Sequence, residues 1–494
     1  MRRVWQARVR PETRVMRASP QQLVTLPSIT GQEHLYLQIY HRMRGLILSG
    51  AWDSNMRLPS SRMLASDLGV SRNTALLAIE RLMSDGWIVA RPGSGIYVSG
   101  EAPRIRATRA VEGNNVAQHF ARPVPFQLGA AGADLFPVTA WRKIQAQVWS
   151  QASHQALYET SGRGWGPLRE EIAGHLHAVR GLCCAPEQVL VVPSTEAAID
   201  LALRVLARPD DQIWVEDPSD PKVGQVIRPH GLRPRPVPTD KDGIRVEAAV
   251  RACPEAKFAY VTPTCQFPTG AVLSASRRRL LLDWAKRRQA FIIEDDAEFN
   301  AAFQRRLPVA PLAAEDEKNV IFIHSFNRIL FPALKIAALV VPAHLADRFE
   351  AESQALGSLP DAANQIVLAE FIRKGLLSAH LRQCRAALEG RRVAMQDAIG
   401  EFLGDWLAID PDQGGFHIVA SSVRLEERDL IAIAARGGLR LAGLSEMTTR
   451  PESRRQAALI GFSAYDEMVI RENVGLLAEL LLAESFAGHR RANG

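Results

Sequence analysis

Apolar positions recur along this chain at two different periods, and the change of period divides it. Between residues 33 and 100 the period is helical. Leu35, Ile39, Met43, Leu46 and Ile47 share one face of a predicted helix that Gly50 closes. Pro59-Ser60 opens a short second helix with Leu64, Ala65 and Leu68 on one face, stopped at Gly69. Ser71 can cap a third, whose inner face is Ala75, Ala78, Ile79 and Leu82. Two strands follow, Trp87–Ala90 and Gly95–Val98, joined by the turn-forming run Arg91-Pro92-Gly93-Ser94. Three helices and a hairpin in so short a stretch predict a winged helix-turn-helix.

After residue 124 the pattern alternates between short apolar runs and amphipathic stretches. Val189–Val192, Gln212–Val215, Phe258–Val261, Phe291–Glu294, Val320–His324 and Ile336–Val341 read as strands, separated by helices such as Glu196–Leu206 and Ser274–Arg288. That alternation predicts an α/β domain over 124–494 with a largely parallel sheet and a smaller C-terminal lobe. Residues 1–32 and 101–123 carry neither period. They read as a flexible basic arm and a linker.

Composition agrees with several folded domains: 494 residues, 47% hydrophobic and 23% charged. No apolar run approaches the length of a membrane-spanning helix, and no apolar stretch follows the N-terminal arginines, so neither a membrane span nor a secretory signal is expected. The five cysteines are odd in number and form no C-x-x-C pair. Metal ligation and a disulfide framework are therefore not expected, and a reducing, cytoplasmic compartment fits. The net charge of +7 sits wholly in residues 1–100, which hold 13 Arg, no Lys and 6 acids, while the remainder is neutral. A basic module ahead of a neutral body is the electrostatic footprint of nucleic-acid binding. Six of those arginines lie in the arm, where a solvated tail explains them equally well.

The third helix supplies what charge alone does not. Ser71-Arg72-Asn73-Thr74 puts short polar side chains and an arginine on its first turn, where base edges and phosphates come close. Arg62 on the preceding helix is a candidate phosphate or base contact. Arg91 at the hairpin tip could reach an adjacent minor groove, with Gly93 letting the backbone approach. Singly, each arginine also reads as a solvated charge and Ser71 as a cap. Leu35-Tyr36-Leu37-Gln38-Ile39-Tyr40, Leu58-Pro59-Ser60-Ser61-Arg62, Leu68 to Thr74 and Arg91 to Gly95 together resemble the GntR-type winged helix across 33–100. The resemblance implies double-stranded DNA as partner, read by a dimer.

The rest resembles fold-type I aminotransferases, and the pairing resembles the MocR/GabR family of transcription regulators. The carrying stretches include Gly166-Pro167-Leu168-Arg169-Glu170, Val215-Glu216-Asp217-Pro218, Tyr260-Val261-Thr262-Pro263, Gln266-Phe267-Pro268-Thr269-Gly270, Ile293-Glu294-Asp295-Asp296 and Gly414-Gly415-Phe416-His417. The family implies a pyridoxal 5′-phosphate (PLP) pocket, which needs a lysine amine, an acid at the pyridine nitrogen, a stacking ring and a phosphate cup. Here the lysine position carries Arg328, in Ser325-Phe326-Asn327-Arg328, and a guanidinium offers no free amine for a Schiff base. Asp295 keeps the acid, but Ala297 replaces the phenol beside it. The stacking ring falls on Asp220, and the phosphate cup aligns with Ser194-Thr195-Glu196. A carboxylate at Glu196 repels a near-dianionic phosphate, by about 1 kcal/mol when solvated and several-fold more in low dielectric. Lys335 stands where the family has a phosphate-binding arginine, keeping the charge and losing the fork. As an amine in place of the missing one, Lys335 is poorly situated, seven residues on at the start of a strand. Cys265 reads as a small buried residue, with no adjacent histidine to activate it.

Three readings follow. In the first, a DNA-binding regulator uses a catalytically dead aminotransferase-like domain, with no catalytic residue, to dimerise and either to sense a different small molecule or to hold two winged helices at fixed spacing. In the second, PLP is still sensed but held non-covalently by Asp295, Thr195 and Lys335. In the third the domain is a working PLP-dependent aminotransferase, which Arg328 opposes. The family also implies a head-to-tail homodimer, and a linker of about 22 residues reaches roughly 60 Å when extended.

Overall fold

The computed structural model describes residues 34–100, 123–129, 132–150, 161–296, 309–410, 415–450 and 455–492. The basic arm expected at 1–32 and the linker up to residue 122 lie outside the described residues. The chain divides into two compact units, Met1–Ala121 and Arg122–Gly494.

In the first unit, helices α1 (Leu35–Leu48), α2 (Ser61–Leu68) and α3 (Arg72–Ser84) precede a hairpin of β1 (Ile88–Arg91) and β2 (Gly95–Val98). Met43, Leu64, Ala75 and Leu82 close a small core. Ser60 and Ser71 cap α2 and α3, each accepting the backbone N–H three residues on, and Gly69 ends α2 at φ 64°, where a Cβ is disfavoured. The first strand begins one residue later than Trp87, whose ring packs into the core.

The second unit begins with α4 (Val138–Ser150) and α5 (Gly166–Arg180). There follow β3 (Val189–Val192), α6 (Thr195–Leu206), β4 (Gln212–Asp217), α7 (Pro221–Ile227), β5 (Arg233–Asp240), β6 (Gly243–Ile244), α8 (Val246–Ala252) and β7 (Phe258–Val261). Next come α9 (Ala275–Arg288), β8 (Phe291–Asp295), β9 (Val320–Ser325) and β10 (Ala337–Val340). These strands form one sheet in the order β3-β10-β9-β8-β7-β4-β5-β6. Pairs from β9 through β5 are parallel; β10 runs against both β3 and β9, and β6 against β5. Both faces are covered, so Val189 and Val191 enter one core while Leu190 and Val192 enter the other. Runs that are buried on both sides read as continuously apolar, which is why they were legible.

One long strand was not. β5 reads Arg233-Pro234-Arg235-Pro236-Val237-Pro238, and proline lacks the N–H a ladder needs. Its three prolines alternate, so all face the same edge, while Arg233, Arg235 and Val237 face β4. β6 pairs only with Thr239 and Asp240, beyond the last proline.

The chain then runs through α10 (Ala346–Leu356), α11 (Ala362–Arg373) and the long α12 (Leu376–Leu403) into the small lobe. There β11 (Leu407–Ile409), β12 (His417–Ser422), α13 (Glu427–Arg436), β13 (Ala442–Gly443), β14 (Ala458–Gly461) and α14 (Glu467–Ala492) complete the chain. The lobe's sheet is antiparallel, in the order β11-β12-β14-β13. Residues 123–129 lie against it, with Phe126 in its core and Gly461 N–H donating to Phe126 O at 3.0 Å. A Cβ on Gly461 would stand 2.4 Å from Gln127 O, so this seam requires glycine.

A buried ion pair fixes the end of β8. Arg180, the last residue of α5, donates from Nε and Nη2 to both Asp296 oxygens at 2.8 and 2.9 Å, and from Nη2 to Thr264 at 3.1 Å. Both side chains are fully buried. Arg180→Met should therefore lower the stability of the large unit by about 3–5 kcal/mol in chemical denaturation, because it strands a buried carboxylate. Adding Asp296→Leu should recover most of that loss; no recovery would mean the pair is not what holds this junction.

Candidate DNA-reading face and ligand pocket

On α3 the buried face is Ala75, Ala78, Ile79 and Leu82, which turns Ser71, Arg72 and Asn73 outward. Ser71 Oγ accepts Thr74 N–H at 3.1 Å and shares a 2.7 Å hydrogen bond with Thr74 Oγ1. Those two hydroxyls therefore order the first turn, leaving Arg72 and Asn73 as its projecting groups. Arg62 is exposed near the start of α2. Gly93 has φ 70° with open space around it, as a hairpin tip requires. Arg91 is not at that tip: it ends β1 opposite Gly95, donates to Asn55 Oδ1 at 2.5 Å and stacks on Tyr97 at 4.5 Å. Exposed residues that sequence reasoning passed over are Leu76 and Leu77, one turn beyond Arg72 and Asn73, and Arg57 beside β2. The helical spacing of Arg72 to Leu76 was the available signal.

In the large unit, parallel pairing brings strand ends together. β3 leads into Ser194, β4 ends with Glu216 and Asp217, β7 leads into Thr262, β8 ends at Asp295 and β9 at Ser325. All of these except Asp217, which is held by Thr449 and Arg450, border a cavity of about 430 Å³. It gathers Thr195, Glu196, Asp220, Asp295, Arg328 and Lys335. Ala297 lies outside the described residues. Lys335 does not start a strand; it ends a short 3₁₀ turn at φ 56°, two residues before β10.

The floor is acidic. Tyr260 donates its hydroxyl to Asp295 Oδ2 at 2.7 Å, and burial together with Asp295 pushes the phenol's pKa well up, so it stays a donor. Glu216 accepts Thr262 Oγ1 at 2.5 Å, Thr262 N–H at 3.2 Å and Gln266 Nε2 at 3.4 Å. Burial, reinforced by Asp295, outweighs those donors and raises Glu216 to about 7. Asp220 caps α7 by accepting Lys222 N–H at 2.9 Å. Cys265 is buried on the wall, and the Arg328 guanidinium stands 6.0 Å from the Phe267 ring. Lys222, Glu216, Tyr260 and Thr262 were not singled out from sequence. Glu216, Tyr260 and Thr262 sit within quoted motifs, as polar ends of apolar strands, which was the signal.

Two family models match the chain: bacterial regulatory proteins of the gntR family over residues 35–98, and aminotransferase class I and II over 126–439. The probable rhizopine catabolism regulatory protein MocR of Rhizobium meliloti is 32% identical, over 92% of this chain and 95% of that one. The pyridoxine biosynthesis transcriptional regulator PdxR of Corynebacterium glutamicum is 29% identical, over 88% and 93%. Among solved structures, kynurenine aminotransferase of Pyrococcus horikoshii superposes with TM-score 0.66 at 23% identity, over 76% of this chain and 96% of that one. LysN, an α-aminoadipate aminotransferase of Thermus thermophilus, gives 0.67 at 21%, over 76% and 95%.

Aminotransferases of this fold bind PLP, and the residues present match it at one end only. Asp295, buried on the floor, suits a protonated ring nitrogen. Arg328 supplies no amine for the covalent link. At the start of α6 the Glu196 carboxylate lines the cavity with Lys222 Nζ 3.7 Å away, which opposes an anionic group there. Intact, covalently held PLP does not fit this set.

The raised pKa of Glu216 has a measurable sign. The folded state holds this proton more tightly than the unfolded chain, so its contribution is complete below pH 4.5 and is lost as pH rises through about 7. In Glu216→Gln the neutral amide keeps the acceptor, so the variant's stability should gain on wild type by about 1–3 kcal/mol between pH 5 and 8.5. A difference that does not change with pH would show the carboxyl is already ionised at pH 5.

Proposed function

The chain belongs to the MocR-type regulators, a gntR-family DNA-binding module joined to a class I and II aminotransferase domain, and from that premise we propose that its large unit senses a small molecule without transaminating it. It acts as a DNA-binding transcription regulator. The observation that carries the sensing role is Arg328 on the wall of a cavity of about 430 Å³ built on the aminotransferase fold. The cavity is kept and the amine is gone. Without it, the covalent step that opens transamination has no nucleophile at that position.

At the DNA, Arg72 and Asn73 read base edges from the first turn of α3, and the mutual hydrogen bonding of Ser71 and Thr74 holds that turn in shape. Arg62 and Arg91 contact phosphates, the latter steadied by Asn55 and Tyr97, and Gly93 allows close approach of the wing. A homodimer supplies two such modules for two half-sites, in the head-to-tail arrangement the family implies.

A second reading keeps PLP as the sensed molecule, bound without a covalent link. What favours it is the retained Asp295, held in place by Tyr260. The two readings share the DNA-binding step and part on the identity of the ligand.

Arg72→Ala should weaken binding to a selected operator by about 1–3 kcal/mol and leave binding to random duplex nearly unchanged, measured by anisotropy at fixed salt. A variant that loses operator and random duplex affinity equally would make Arg72 a phosphate contact. A variant with unchanged operator affinity would remove α3 as the reading element.

A further inference from the structure

Glu196 is the second residue of α6, a helix of 12 residues whose N-terminus opens on the cavity. Ser194 caps that helix by accepting Ala197 N–H at 3.2 Å, beside the Glu196 carboxylate. Lys222 Nζ stands 3.7 Å from that carboxylate. Burial pulls this carboxyl's pKa up, but Ser194, the backbone N–H, Lys222 and Arg328 together hold it below the ordinary range. The donors and the positive helix end that would receive a ligand's anionic group thus already face a carboxylate belonging to the chain.

At the floor, the Asp295 carboxylate favours a cationic group. Asp220, Asp295, Arg328 and Lys335 line the cavity, Glu216 holds its proton below about pH 7, and Lys222 is matched by Glu196. Glu216 and Asp295 are the most deeply buried of these, and Tyr260, which donates to Asp295, is the floor's fixed donor. A protonated nitrogen satisfies that floor, and an anionic tail has no vacant seat at α6.

We propose that the Glu196 carboxylate is a built-in stand-in for a ligand phosphate, so that the cavity takes a phosphate-free ligand bearing a protonated nitrogen. This rests on the reading of the cavity as a sensing site, and it inverts the preference expected of an aminotransferase pocket. Discrimination comes from repulsion: a phosphorylated ligand must bring two negative charges against Glu196 or displace it from Lys222.

The test is a calorimetric titration of the full-length protein with pyridoxamine and with pyridoxamine 5′-phosphate, which differ only in the phosphate and form no covalent link to lysine. Wild type is expected to bind pyridoxamine at least ten-fold more tightly than its phosphate. In Glu196→Gln, an isostere without the charge, the preference should shrink or reverse by at least ten-fold. Glu196→Ser provides a second variant, and circular dichroism melts establish that both are folded. Equal or tighter binding of the phosphate by wild type overturns the proposal. So does a preference unchanged in both variants, or no binding of either compound to wild type or variants at millimolar concentration. Operator affinity with and without pyridoxamine, measured in parallel, separates the two claims: the expected preference without any change at the operator would sustain the pocket assignment and sink the sensing role.

Discussion

Parallel pairing puts the C-terminal ends of neighbouring strands on one edge of a sheet, and in this molecule that edge borders the cavity. β4, β7, β8 and β9 run side by side, and their ends deliver Glu216, Thr262, Asp295 and Ser325 to one cavity. β3 delivers Glu196 on the turn of helix that follows it, and the connection from β9 to the antiparallel β10 keeps Lys335 at the same edge. Arg180 anchors the junction beyond β8 by holding Asp296 in a dry, two-point ion pair. The edge is thus fixed by backbone pairing and by a buried charge pair, neither of which depends on what the cavity binds.

That independence explains how a scaffold can persist while its reactive groups change. Arg328, Asp220 and Glu196 line the cavity, yet none takes part in a strand pairing. Two of them find a local use: Asp220 caps α7, and Glu196 lies 3.7 Å from Lys222 Nζ. A carboxylate with several donors and a helix end costs little to keep in place. The winged-helix unit shows the same economy of roles, since Ser71 and Thr74 shape a turn whose neighbours Arg72 and Asn73 remain exposed.

Much of this was legible in the sequence, for reasons specific to each element. Val189–Val192 and Phe258–Val261 were read to the residue because strands buried on both faces are unbroken apolar runs. The small-lobe strands were not individually legible, because β11 and β13 span three and two residues and β12 ends in Ser421-Ser422. β5 hid behind alternating prolines, which only a strand with one unpaired edge tolerates. At the cavity, Arg328 and Glu196 stood out because motif and residue type disagreed. Lys222 did not, since its proximity to Glu196 is a product of α6 and α7 packing side by side and leaves no trace in local spacing.

The central claim is that the cavity has lost the covalent chemistry of its fold, and protein–PLP adducts test it most directly. Full-length protein would be incubated with one equivalent of PLP, reduced with borohydride, digested and mapped by mass spectrometry. The account predicts no stoichiometric adduct on a cavity lysine, only scattered labelling of exposed lysines that falls as PLP is diluted. A single adduct approaching one per chain on Lys335 or Lys222 would contradict it, because a second lysine would then have taken over the role that Arg328 cannot fill.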